Sequence, residues 1–195
     1  MPKKDSHNTK SKIVSAAWSL FYKYGYEKTT IEDIVELSTT SRGSFYHYFN
    51  GKDELLNTLS DLFDSKYEQL ADTFKKGMTA FEKLMYLNYE QFNLIENSVP
   101  IDLLTRMYST QLTASGSRNL LDHNRIYYKL IRQIVIEGRE SGEFVTDISV
   151  NEIVRAYTMC ERALITDWCL SNGEYSLCRE SETILPRLLK GFINN

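Results

Sequence analysis

The positions of the apolar residues predict helices along the whole chain. In the first helix the apolar residues recur at helical spacing as far as Tyr24, and Gly25 is placed to end it. Thr30 is placed to cap a short second helix, and Thr40 or Ser41 to cap a short third one. No alternating pattern typical of strands is sustained anywhere, so the sequence predicts an all-α fold.

Beyond Gly51 the apolar pattern predicts longer helices. An amphipathic run extends over Leu55–Phe74, and two later helices open with the spacing of a capping box, at Thr79–Glu82 and Ser149–Glu152. The segment 113–119 is predicted to be a loop, and Pro186 should kink or interrupt the last helix. The pattern predicts about nine helices in total, three short ones followed by about six longer ones.

The composition points to a soluble cytoplasmic protein. The chain of 195 residues has three Cys, an odd number that argues against a disulfide framework and for a reducing compartment. The basic N-terminus has no apolar run after it, and no segment reaches the roughly 18 apolar residues that span a membrane. The three His are too scattered to suggest a metal site, and we expect no metal and no cofactor.

The net charge of −3 is unevenly distributed along the chain. Residues 1–52 carry eight Lys and Arg against five Asp and Glu, whereas the other 143 residues carry 15 against 21. A mildly basic head on an acidic body permits a polyanionic partner for the head. An ordinary solvated surface explains so small a difference equally well.

The three short helices fit the plan of a helix-turn-helix, in which the last helix enters the major groove of DNA. Phe45 and Phe49 are one helical turn apart and can anchor that helix on its inner side. The residues that then fall on the other faces are Arg42, Ser44, Tyr46 and His47. A lone histidine is more typical of a surface or core position, so a DNA contact by His47 depends on the surrounding pattern.

Residues 9–56 closely resemble the DNA-binding domain of the TetR family of transcriptional regulators. The motifs are "GY" at 25–26, "TT" at 29–30, "DI" at 33–34 and "SRGSFYHYF" at 41–49, with Lys52 shortly after. The resemblance implies a helix-turn-helix domain over residues 1–52 and a larger helical domain for effector binding and dimerisation over residues 53–195. It implies a ligand-responsive repressor that binds a near-palindromic operator in double-stranded DNA as a homodimer and is released by a small-molecule effector.

The resemblance also implies which residues contact DNA. Those expected to face bases are Arg42, Gly43, Ser44 and His47, and those expected to face the sugar-phosphate backbone are Thr30, Thr40, Ser41, Tyr46, Tyr48 and Lys52. Gly43 would let the helix lie close to the groove wall. The fork of Arg42 can bind guanine O6 and N7 together, or it can bind a phosphate, and the sequence leaves both open.

In the body the resemblance implies an effector pocket and a dimer interface on the last two helices, and the many aromatic residues there fit a lipophilic or aromatic effector. The expected pocket residues are Tyr89, Phe92, Met107, Tyr108, Tyr127 and Tyr128, although such residues are also typical of a helical core. Three charged residues of the same helices, Glu90, Arg106 and Asp122, either orient a charged effector group or are solvated. The expected interface residues are Ile153, Tyr157, Leu164, Trp168, Leu185, Leu188 and Leu189.

Two other functions are compatible with an all-helical chain. One is a small-molecule carrier or an enzyme that does not bind DNA. No nucleophile–base pair, metal cluster or Gly-rich phosphate loop supports catalysis, so we expect no enzyme. The other is activation instead of repression, which depends on the operator position.

The turn before the third helix departs from the family pattern, because many TetR proteins have Gly-Val where this chain has Thr39-Thr40. A glycine there takes a positive φ without strain, whereas a β-branched residue does not. We expect a different turn geometry in which φ stays negative at Thr39, supported by hydroxyl capping of the next helix.

Overall fold

The fold is all-α, as the sequence predicts, and a computed structural model describes residues 3–113 and 118–194. These residues form ten α-helices: α1 Lys3–Tyr24, α2 Ile31–Ser38, α3 Arg42–Tyr48, α4 Lys52–Leu56, α5 Thr58–Ala71, α6 Ala80–Ser98, α7 Ile101–Thr113, α8 Ile126–Glu140, α9 Val150–Leu170 and α10 Leu177–Lys190. A short 3-10 helix covers Asn119–Leu121, and an isolated bridge joins Phe144 and Ile193. The same residues contain no β-strand.

Three details differ from the predicted elements. α1 was predicted to be short, but it has 22 residues. The amphipathic run after Gly51 is divided at Asn57 into α4 and α5. α10 is not interrupted, because it continues through Pro186 to Lys190. Of the predicted loop at 113–119, the part from 114 to 117 lies outside the described residues.

The chain forms two compact units. The first contains residues 1–61 together with 100–119, and the second contains residues 62–99 together with 120–195. The first unit therefore includes α7, which lies far from the head in sequence. A domain boundary at residue 52 stays a prediction.

The second unit is built around one apolar core from α5, α6, α8, α9 and α10. Next to this core, the guanidinium of Arg125 forms two hydrogen bonds with Asp64, at 2.8 Å from Nη2 and 3.1 Å from Nε. The carboxylate of Glu143 accepts hydrogen bonds from the backbone N–H groups of Ala80 and Phe81, which open α6. No helix among the described residues is long and apolar enough to cross a membrane.

Candidate DNA-binding surface and effector-binding body

Side-chain caps fix the start of both short helices of the helix-turn-helix. Thr30 caps α2 in a reciprocal box: its Oγ1 accepts from Asp33 N at 3.1 Å, and its own N–H donates to Asp33 Oδ2 at 2.9 Å. Ser41 caps α3, because its Oγ accepts from Ser44 N at 3.0 Å. The sequence predicted Thr30 as a cap and left Thr40 and Ser41 open, and the structure selects Ser41.

The two faces of α3 differ as the helical spacing predicts. Phe45 and Phe49 are buried, with exposed fractions of 0% and 3%, and their ring centroids lie 5.8 Å apart. The exposed residues of α3 are Arg42, Gly43, Tyr46 and His47, while Ser44 and Tyr48 are half-buried. The aromatic pair therefore anchors a helix whose outer face is polar.

Arg42 forms an ion pair that the sequence did not reveal. Its Nη1 lies 3.0 Å from Glu32 Oε1 on α2, and its guanidinium lies 5.8 Å from the ring centroid of Tyr46. Both ends of the pair are more than 60% exposed, so solvent and salt screen it strongly. The pair holds the guanidinium at the N-terminal end of α3 and is weak enough to exchange for another partner.

Lys52 ties α4 to the turn between α1 and α2. Its Nζ donates to Tyr26 O at 2.6 Å and to Thr29 O at 2.8 Å, and it lies 4.1 Å from the centroid of the Tyr26 ring. Burial lowers the pKa of Lys52. Two of the three N–H groups of this ammonium thus serve the fold, and its contact with a phosphate stays a prediction.

The turn residue Thr39 has a left-handed backbone, with φ 52° and ψ 39°. The prediction of a negative φ was therefore wrong. The N–H of Thr39 donates to Glu36 O at 3.1 Å and the N–H of Thr40 donates to Val35 O at 3.1 Å, so the turn keeps the helix-ending geometry that usually takes glycine. The hydroxyl of Thr39 donates to Ser38 O at 2.7 Å, which stabilises the turn without changing its φ.

Replacing Thr39 with glycine should stabilise the protein. Removing a left-handed β-branched residue gains about 1–2 kcal/mol, and the entropy of glycine in the unfolded chain returns about half of this. We expect the free energy of unfolding in urea to rise by about 0.5–1 kcal/mol. The matched control is Thr40→Gly: its φ is not positive and its Oγ1 lies 2.8 Å from Ser38 Oγ, so the same measurement should show a loss of similar size. Equal effects of the two substitutions would contradict the assigned strain.

The six expected effector residues are divided between the two compact units. Met107 and Tyr108 belong to the first unit, Met107 being buried and Tyr108 half-buried, whereas the other four belong to the second. Tyr89 is exposed, and the buried ones are Phe92, Tyr127 and Tyr128. The hydroxyl of Tyr128 donates to Leu120 O at 3.0 Å and accepts from Arg162 Nη1 at 2.8 Å.

A buried polar network that the sequence did not indicate lies in the second unit. Glu161 is 3% exposed and accepts hydrogen bonds from the hydroxyl of Tyr127 and from Asn88 Nδ2, the latter at 2.7 Å. Ser181 donates to the amide oxygen of Asn88. Burial raises the pKa of Glu161, and the hydrogen bonds from Tyr127 and Asn88 oppose this shift. Tyr127 is thus held by a core carboxyl group.

Gln91 lies on α6, about one turn after Asn88, and is 2% exposed. Neither polar atom of its amide has a hydrogen-bond partner among the described residues. Burying an amide without partners is costly, by about 1–3 kcal/mol in protein mutational data. A hydrogen-bond partner from a water or a bound molecule would offset this cost. Gln91 was not among the expected effector residues because its burial depends on tertiary packing.

Most of the expected dimer residues lie inside the protomer. Those that are buried are Ile153, Tyr157, Leu164, Trp168, Leu185 and Leu189, and Leu188 is half-buried. The exposed apolar residues of the same two helices are Met159 and Leu170 on α9, with exposed fractions of 55% and 81%, and Ile184 on α10, with 37%. Met159 and Leu170 are eleven residues apart, about three turns, and so share one face of α9.

No group of three or more His, Cys, Asp or Glu in the described part of the chain is placed to hold a metal ion.

Two family models match adjoining parts of the chain. Residues 13–59 match "Bacterial regulatory proteins, tetR family", and residues 60–191 match "YsiA-like protein, C-terminal region". Among curated proteins, the fatty acid metabolism regulator protein of Bacillus subtilis (strain 168) is 22% identical over 93% of this chain and 94% of its own. The regulator QacR of Staphylococcus aureus is 29% identical over 82% of this chain and 85% of its own.

Among solved structures, the Thermus thermophilus repressor FadR in complex with lauroyl-CoA has a TM-score of 0.77 and 25% sequence identity, and 95% of each chain is covered.

Proposed function

Because the chain belongs to the TetR family of bacterial regulatory proteins, we propose that it represses transcription by binding operator DNA as a homodimer. A small molecule that binds the body then releases it from the operator. The observation that carries this function is α3, whose aromatic anchors are buried while Arg42, Tyr46 and His47 are exposed. A regulator of a bacterial chromosome acts in the cytoplasm, and no enzymatic step is part of this function.

We place Arg42, Gly43, Ser44 and His47 at the base edges of the major groove. The exposure of Arg42 and the screening of its pair with Glu32 support this, since guanine O6 and N7 can replace the carboxylate as a bidentate partner. Gly43 has no side chain to keep the start of α3 away from DNA. Facing the phosphates, we place Thr30, Thr40, Ser41 and Lys52, which lie on or beside helix starts, and Tyr46 and Tyr48 in the later part of α3.

For the dimer we propose an interface formed by α9 and α10 through their exposed apolar residues, Met159, Leu170 and Ile184. Burial inside the protomer already explains the apolar character of residues such as Tyr157, so the interface needs other side chains. In an isologous pairing of these two helices, the apolar residues of each protomer are covered by the same surface of the partner. A two-fold dimer presents two DNA-binding heads, which match the two half-sites of a near-palindromic operator.

As effector we propose a medium- or long-chain acyl-CoA. The support is the similarity of the chain to a fatty acid metabolism regulator protein and to a repressor solved in complex with lauroyl-CoA. The unpartnered amide of Gln91 adds a chemical argument, because the amides and the thioester of acyl-CoA offer the donors and acceptors that it lacks.

Operator binding can be tested with Arg42→Ala. We expect the purified protein to select a near-palindromic sequence from random duplex DNA. The variant should bind that sequence about 1–3 kcal/mol more weakly for each half-site, because it loses one bidentate base contact. Fluorescence anisotropy at several salt concentrations measures this. Lys129→Ala, which removes an exposed charge of α8, is the control and should bind as the wild type does. Equal affinities of the two variants would contradict our placement of α3.

The proposed effector class can be tested by measuring whether a ligand releases the protein from operator DNA. Lauroyl-CoA should displace the wild-type protein from its operator, whereas CoA alone and laurate alone should not. Gln91→Leu should raise the free energy of unfolding, because it removes the unpartnered amide, and should require more lauroyl-CoA for release. Release by CoA alone, or no release by any acyl-CoA, would rule out this effector class.

A further inference from the structure

Helix α7 belongs to the same compact unit as the DNA-binding head. The chain leaves the second unit after Val99, forms α7 within the first unit, and returns to the second unit at Leu120. Both ends of the segment that carries α7 are thus covalently joined to the unit that contains most of the body.

Arg106 connects α7 to two places in the head. Its Nη1 lies 3.2 Å from Glu27 Oε1, in the turn between α1 and α2, and its Nε lies 3.6 Å from Asp53 Oδ1, in the first turn of α4. Its guanidinium carbon lies 5.1 Å from the centroid of the Tyr26 ring. One side chain of α7 therefore contacts both the entrance to α2 and the start of α4.

Tyr26 extends these contacts into the head. It is 4% exposed, its hydroxyl donates to Asp53, and its ring lies 5.2 Å from that of Phe21. Lys52 donates to the carbonyl oxygens of Tyr26 and of Thr29, the residue before the α2 cap. Displacement of Arg106 therefore acts on the group of contacts that sets the start of α2.

The strength of the contact suits a coupling role better than a purely stabilising one. Arg106 is 45% exposed, and the carboxylates of Glu27 and Asp53 are 76% and 61% exposed, so water and salt weaken each pair. Guanidinium geometry nevertheless makes the contact directional, because the fork and the ring face must align together. A weak, directional contact can be broken and remade by a small change in α7.

We infer that Arg106 is a positioning residue that couples α7 to the DNA-binding head, so that DNA binding and the conformation of α7 influence each other. This inference rests on the proposed operator binding. Coupling between two sites is reciprocal, and factors of about 5 to 150 are typical. Operator DNA should therefore stabilise α7, although no DNA contact is assigned to that helix.

Hydrogen exchange of the full-length protein, measured by mass spectrometry with and without the selected operator duplex, tests this. In the wild type we expect operator to slow exchange in both α3 and α7, by about fivefold or more in α7. In Arg106→Gln, α3 should still be slowed, while the operator-dependent slowing of α7 should fall to less than half. Glu27→Gln, which removes the charge of an ion-pair partner of Arg106, should also reduce the operator-dependent slowing of α7. Arg106→Lys keeps the charge and should retain part of this slowing.

Lys129→Gln is the charge-matched control and should behave as the wild type does. A purely structural role of Arg106 would change the exchange of α7 without DNA and leave the operator-dependent difference intact, and that result would overturn the inference. So would a wild-type α7 that does not respond to operator. If no variant shows slowing in α3, operator binding itself fails, and both proposals fall together.

Discussion

Gly138→Ala is expected to destabilise the protein strongly, although it adds one methyl group and replaces glycine within a helix. An added Cβ at Gly138 would lie 2.4 Å from Phe144 Cδ2, 2.6 Å from Phe144 Cε2 and 2.7 Å from Ala80 Cβ. Each distance is far inside van der Waals contact, and the Phe144 side chain is completely buried.

The neighbours of Gly138 have little freedom to move. The carbonyl oxygen of Gly138 accepts from the N–H groups of Glu143 and Phe144 at 2.8 and 3.0 Å. Glu143 in turn holds the first N–H groups of α6. Overpacking costs about 1–3 kcal/mol, and the helix propensity of alanine returns less than 1 kcal/mol of this. We expect a net loss of about 2 kcal/mol in the free energy of urea unfolding.

Two variants make the Gly138 prediction specific. Gly43→Ala makes the same chemical change at an exposed position of α3. The added Cβ would lie 3.7 Å from Ser41 Oγ, so we expect no loss of stability. Gly138→Ala combined with Phe144→Leu should lose less than the sum of the single substitutions, because the smaller side chain leaves room. Additive losses would show that the steric contact is not the cause.

The helix-turn-helix could be predicted from the sequence because its signals are local. The caps Thr30 and Ser41, the terminating Gly25 and the aromatic spacing of Phe45 and Phe49 each depend on residues within one or two turns. The prediction of a negative φ at Thr39 was wrong because it considered only the preference of threonine. The hydrogen bonds of the surrounding turn impose the left-handed geometry.

In the body the sequence predicted the helices but not which faces they bury. Tyr157 and Trp168 were predicted at a dimer interface; both are buried within the protomer, and the interface itself stays a prediction. Apolar periodicity identifies a buried face without showing whether the same chain or a second copy covers it. Glu161 and Arg106 were beyond prediction in another sense, since their partners lie 34 or more residues away in sequence.

Met159→Glu is expected to abolish the dimer and, with it, tight operator binding. Met159 is 55% exposed on the face of α9 that also carries Leu170, and a two-fold interface places two copies of each substitution in the same contact. A carboxylate buried against an apolar surface carries a large desolvation cost, and the two-fold interface incurs it twice. Sedimentation should show a species of 22.7 kDa instead of twice this mass.

Loss of the dimer should weaken operator binding by about 100-fold or more, since each head then binds its half-site without the effective concentration supplied by the other. Affinity for an isolated half-site should be unchanged, because α3 is intact. Leu62→Glu places the same charge on α5 at a residue that is 48% exposed and should remain dimeric. Far-UV circular dichroism separates dissociation from unfolding, because a dissociated protomer keeps its helix content. For Tyr157→Glu, which places a charge in the core, we expect unfolding instead. A Met159→Glu protein that stays dimeric and keeps its operator affinity would place the interface on another surface.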